Sequence, residues 1–169
     1  MKKYFLAILF LLLITSYSHA GCDDPLADGV DYSNCRFSDG QDLKSSFLPN
    51  SNLSFTSFVQ VNLDKSIMMN SILAYGTFSE SSFIRSNLYE SNLQGANFEK
   101  SNFTSANLTR VKFLGASLIE ANFLNANLFE ADFTSANITN TNFEGANLNS
   151  AIWTDGKKCG QNSIGSCNK

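Results

Sequence analysis

Residues 96–133 read ANFEKSNFTSANLTRVKFLGASLIEANFLNANLFEADF. An apolar residue returns at every fifth position: Phe98, Phe103, Leu108, Phe113, Leu118, Phe123, Leu128, Phe133. The beat runs without a break from Leu43 to Trp153, through 23 positions. Twenty of these are Leu or Phe, and the others are Met68, Ile138 and Trp153. Two residues before the apolar one stands a small residue in 20 of the 23 repeats. The residue directly before it is Asn or Asp in 14. A period of five fits neither regular element. On a helix, apolar residues at this spacing would smear round the whole surface. A flat strand alternates every two residues. A chain that turns a corner every five residues satisfies the pattern, with one large residue pointing inward on each side.

The motifs Ala96-Asn97-Phe98, Ala106-Asn107-Leu108, Ala121-Asn122-Phe123 and Ala131-Asp132-Phe133 resemble the A(D/N)LxX unit of the pentapeptide-repeat family. The resemblance implies an all-β fold, a right-handed parallel quadrilateral β-helix (a pentapeptide-repeat solenoid) with four repeats per coil. Twenty-three repeats make about six coils, roughly 28 Å long at the usual strand spacing. Residues 20 apart should then stack. Phe83, Phe103, Phe123 and Phe143 fall in one column, and Leu88, Leu108, Leu128 and Leu148 in another. Asn87, Asn107, Asn127 and Asn147 form an Asn ladder that serves the backbone at the corners.

Outside the repeat the chain divides into three pieces. Lys2 and Lys3, the apolar run Tyr4–Ile14 and Ser18-His19-Ala20 read as a signal peptide over 1–20. Its apolar run would span only ~17 Å as a helix, short of the bilayer core. A lipoprotein anchored at Cys22 is the less favoured reading, because His19 occupies the place where such sites want Leu. Residues 21–42 read as an N-terminal cap. Phe37 to Leu43 is six residues, and Gly40 is placed to absorb the extra one. Residues 43–153 are the β-helix and 154–169 a C-terminal cap. The tail Trp153-Thr154-Asp155-Gly156-Lys157-Lys158-Cys159, followed by Gly165-Ser166-Cys167, resembles that of some secreted family members.

Four Cys in an exported chain read as two disulfides, for which three connectivities exist. The implied rod separates its ends by several times a disulfide's Cα–Cα span of about 4.4–6.8 Å. That leaves Cys22 with Cys35 and Cys159 with Cys167, one staple per cap.

Without residues 1–20 the chain has 10 basic and 15 acidic residues, a formal net charge of −5, and no His. This argues against nucleic-acid or anionic-membrane binding. No nucleophile–base pair, metal-ligand set or phosphate loop is present in the sequence. Glu80–Lys100–Glu120 and Glu90–Arg110–Glu130 fall in two outward columns and read as alternating charge ladders. The expectation is a non-enzyme: an exported, periplasmic or extracellular structural or protein-interaction module without cofactor or membrane span. Its candidate interaction patch is Leu114, Ile119, Leu124 and Phe129, facing an unknown protein partner. The alternative implied by the resemblance is a DNA mimic that binds DNA gyrase, as quinolone-protecting family members do. The signal peptide and the alternating charges disfavour it.

Overall fold

The computed structural model describes residues 21–22 and 24–169. The expected signal peptide, residues 1–20, lies outside the described residues. Among those described there is no helix, and the chain pairs with itself through single-residue parallel bridges. From Asp42↔Asn62 to Asp132↔Ile152, each parallel bridge joins residues 20 apart. Turns recur every five residues, so each coil has four sides. The pairing reaches back to Asp31↔Asn52 and Arg36↔Ser57, which are 21 apart. Tyr32 and Phe37 are therefore buried core residues above Leu53 and Phe58. The extra residue sits in the turn between Phe37 and Gly40. Gly40 itself already holds a regular corner, with φ +75° and its N–H on the Val59 carbonyl.

The repeat is a complete hydrogen-bond unit. In the one centred on Phe103, Asn102 N–H donates back to the Ser81 carbonyl (3.0 Å). Phe103 and Ser105 N–H donate forward to Asn122 (2.7 Å) and Leu124 (2.9 Å). Ala106 N–H closes the turn on the Phe103 carbonyl (3.0 Å). That leaves Thr104 N–H, which the Asn102 side chain accepts at 3.0 Å. This is why Asn or Asp precedes the apolar residue: its carbonyl oxygen serves the one backbone donor that coil pairing cannot reach. Two of the repeats without it find other solutions. After Phe47 and Leu48 comes Pro49, which has no N–H to satisfy. Where Ser82 replaces Asn, Asp64 of the preceding coil accepts from Ile84 N–H.

Each corner ends on a residue with positive φ, and most are not glycine. Lys100, Ser105 and Arg110 all have φ +58°. A left-handed L-residue costs on the order of 1–2 kcal/mol. The inter-coil bond from that same N–H, as Ser105 to Leu124, holds it there.

Inside, like residues stack along the axis. Phe83–Phe103 and Phe103–Phe123 have ring centroids 4.7 and 4.9 Å apart at interplanar angles of 12° and 2°. Neighbouring columns meet edge to face, as Phe98–Phe103 do at 5.3 Å. The small residue before each Asn is mostly Ser early in the rod and Ala later. The buried Ser hydroxyls bond carbonyls, as Ser86 to Phe83 (2.7 Å) and Ser101 to Phe78 (2.6 Å). No buried side-chain polar atom among the described residues lacks a partner.

The tail turns back across the last coil as antiparallel bridges, Ile152↔Lys158 and Asn147↔Ile164. Leu148 N–H reaches the Ser163 carbonyl, and Trp153 packs on Phe133 and Phe143. Cys159–Cys167 closes this cap (Cα–Cα 5.1 Å), and Cys22–Cys35 closes the lead-in (5.3 Å).

Two substitutions in one repeat test this balance by urea unfolding. Phe103→Ala should lose about 3–5 kcal/mol for a truncated core ring. Ser105→Gly should gain up to about 1 kcal/mol by relieving the left-handed corner. A loss in Ser105→Gly would show that the corner is not strained.

Candidate functional site

Outward side chains fall into columns set by the 20-residue register, so the surface is read corner by corner. The corner bearing Tyr89 and Glu90 carries the densest polar network. Arg110 donates through Nε to Glu130 (2.7 Å) and through Nη1 to Glu90 (3.1 Å). The same Nη1 donates to the Tyr89 hydroxyl (3.1 Å), which itself donates to Glu90 (2.7 Å). One planar guanidinium thus spans three coils. The Tyr89 hydroxyl, and then Arg110, hold the Glu90 carboxyl below its ordinary pKa, while the two glutamates raise that of Arg110.

The second expected ladder is built differently. Lys100 pairs with Glu99 at 3.7 Å, and Glu80 accepts from Gln60 Nε2 at 2.9 Å. A lysine is a single point charge on a flexible stem, and it takes the carboxylate beside it. The Asn ladder is present with one change. Asn107 donates to Asn87 and Asn147 to Asn127, both at 3.0 Å, whereas Asn127 reaches Asn107's column through the Thr109 hydroxyl (2.9 Å).

Leu114, Ile119, Leu124 and Phe129 are not brought together. They belong to consecutive repeats, and consecutive repeats occupy consecutive sides, a quarter-turn apart. Each is half-buried. Contiguity on this rod comes from a spacing of 20, not of five. The most exposed large apolar residues of the repeat lie instead in the first two coils: Phe47, Phe55, Ile72 and Tyr75. Phe55 and Tyr75 stack on one corner, with centroids 5.4 Å apart and planes 14° off parallel. Their spacing of 20 in the sequence is the signal that locates this pair.

Two shallow clefts open near the N-terminal end. One, of about 320 Å³, lies between the lead-in and the first coil, beside Cys22, Leu26, Phe37 and Leu43. The other, of about 250 Å³, is lined by Gly29, Val30, Asp31, Asn50, Asn52 and Ile72. Neither brings a nucleophile to a base. No group of metal-ligating side chains occurs among the described residues. Their four Cys are all in disulfides. No described helix is long and apolar enough to cross a membrane.

Eight copies of the pentapeptide repeat match over residues 73–104, 86–125 and 126–152. Over residues 73–152 the chain belongs to the pentapeptide-repeat family. Its fold is shared with QnrB1, a plasmid-mediated fluoroquinolone resistance protein. That structure aligns at 20% identity over 73% of this chain and 67% of the other, with a TM-score of 0.67. Rfr23 from the cyanobacterium Cyanothece 51142 also matches, at 22% identity over 76% and 91% of the two chains (TM-score 0.33). HetL from Nostoc sp. strain PCC 7120 matches at 18% identity over 78% and 90% (TM-score 0.27). No curated protein matches the chain in sequence. The family accounts for the four-sided repeat.

The Glu90 network has a pH signature. A carboxyl whose pKa is lowered on folding adds stability above its unfolded value, and that stability is lost as pH falls through the folded value. Between about pH 5 and pH 3, the wild-type urea midpoint should fall more steeply than that of Glu90→Gln. Parallel acid limbs would show that the network contributes nothing.

Proposed function

We propose that this chain is an exported, non-catalytic rod of about six coils, right-handed in the sense of its family, that offers its outer surface to other proteins. The observation that carries this reading is the unbroken repeat, sealed at both ends by disulfides. Disulfides persist in oxidising compartments, and each cap here depends on one. A repeat without insertions extrudes no loop from which an active site is assembled. The sequence of residues 1–20 supplies the matching export signal, and the bonded state of Cys22 favours simple cleavage over lipid anchoring.

The gyrase-binding alternative draws on the likeness to QnrB1, a resistance protein by its description, but at 20% identity that likeness concerns the fold. The corner network also works against a DNA-like surface. Arg110 sits between Glu90 and Glu130 and interrupts the negative charge that a duplex mimic needs.

Export is tested by fractionating cells that express the full chain and sequencing the recovered protein. The expected result is a product starting at Gly21, outside the cytosol, with both disulfides formed. Recovery of the uncleaved, reduced chain from the cytosol would overturn the proposal.

A further inference from the structure

At the start of the lead-in the chain closes on itself. Gly21 N–H donates to Asp24 Oδ2 at 2.8 Å, and Asp24 N–H donates back to the Gly21 carbonyl at 2.9 Å. This small loop is tied down on both sides. Cys22 is bonded to Cys35, which is buried. Just past Asp24, the buried Tyr32 donates from its hydroxyl to the Pro25 carbonyl (2.7 Å), and the same oxygen accepts from Ala27 N–H (3.0 Å). Asp24 therefore reaches the Gly21 nitrogen from an anchored segment. In the full chain that nitrogen is an amide. Cutting the bond after Ala20 would make it the terminal amine.

We propose that the mature N-terminus is an ion-pair latch, in which cleavage after Ala20 sets the Gly21 α-ammonium on the Asp24 carboxylate and completes the N-terminal cap. This rests on the cleavage proposed above. Water adds across the Ala20–Gly21 bond in the active site of a signal peptidase. Ala20 leaves as a carboxylate, and the Gly21 nitrogen takes up protons to become an ammonium. An α-amine ordinarily titrates at about 7.7–8.0, so it carries its charge at neutral pH. A neutral hydrogen bond then becomes a charge-assisted one between the same two atoms. Gly21 and Asp24 are both exposed, which makes the gain modest and sensitive to salt. The other charged groups near this loop have partners of their own. Arg36 lines the same cleft as Asp24 and pairs with Asp39 at 3.8 Å, and Asp28 accepts from Asn50 Nδ2 at 3.1 Å. Asp23 adjoins Asp24 in sequence and is the competing carboxylate. An amine whose pKa rises on folding adds stability below its unfolded value, and that stability is lost as pH climbs through the folded value. The latch is therefore closed at neutral pH and opens in alkali.

The test is an NMR titration of the α-amine between about pH 6 and pH 10. It uses the disulfide-intact chain that begins at Gly21, released from a fusion by a site-specific protease. Asp24→Asn keeps an acceptor oxygen for the bond and removes only the charge. The wild-type amine should titrate about half a pH unit or more above that of Asp24→Asn. Salt at about 1 M should narrow the gap, and Asp23→Asn should keep most of it. Acetylating Gly21 restores an amide of the precursor kind. The urea midpoints of the acetylated wild type and acetylated Asp24→Asn should then run parallel from about pH 7 to pH 10, whereas those of the free-amine forms should converge. Equal titration in wild type and Asp24→Asn, or a gap that Asp23→Asn abolishes, would overturn the latch. Because the fusion supplies Gly21 as the first residue, this result is separate from the cleavage reading, which an exported product starting elsewhere would sink.

Discussion

The fold depends on one interaction, the pairing of each coil's backbone with the coils 20 residues before and after it. Three of the five N–H groups in a repeat donate to other coils, one closes the turn, and the Asn side chain takes the fifth. The arrangement has no slack. A coil can satisfy its backbone only if its neighbours hold the same register, and so the columns of like side chains follow from the pairing. The Phe stacks and the Asn ladder result from identical positions being superposed. The same pairing sustains left-handed geometry at Lys100, Ser105 and Arg110, where each N–H is committed to the next coil.

A rod of this kind has two open edges, and the chain closes each by a different route. At the start, the lead-in pairs in parallel at a register of 21, which brings Tyr32 and Phe37 into the core before the period of five begins. At the finish, the tail reverses and pairs antiparallel, so that chain direction itself ends the solenoid. Open strand edges invite association, and each closure is fixed by its own disulfide.

Most of the interior was legible in the sequence, because an inward position every five residues leaves a periodic trace. The cysteine pairing and the Arg110 ladder were legible too, once residues were counted in twenties. The parts that escaped depend on geometry without a period. The six-residue step from Phe37 to Leu43 shows the extra residue, but not that coil stacking continues across it at a register of 21. The choice of Glu99 by Lys100 depends on side-chain reach. Leu114, Ile119, Leu124 and Phe129 read as a cluster because they are close in sequence, yet the four-sided coil distributes them round the rod. The Phe55–Tyr75 stack was visible by spacing, but its 58% and 52% exposure was not.

Function then becomes a question of which outer columns differ from the repeat's plain polar pattern, since the interior is committed to stability. That view rests on register, and deletion tests register directly. Removing residues 93–112 excises one whole coil and rejoins Asn92 to Phe113 in phase. Removing Thr104 alone takes out a single residue and puts every later position out of phase. Thermal unfolding followed by circular dichroism should show the 20-residue deletion melting cooperatively close to the wild type. The one-residue deletion should be far less stable, although it keeps more of the chain. If the loss of Thr104 is tolerated as well as the loss of the whole coil, coil-to-coil pairing is not what holds the structure together.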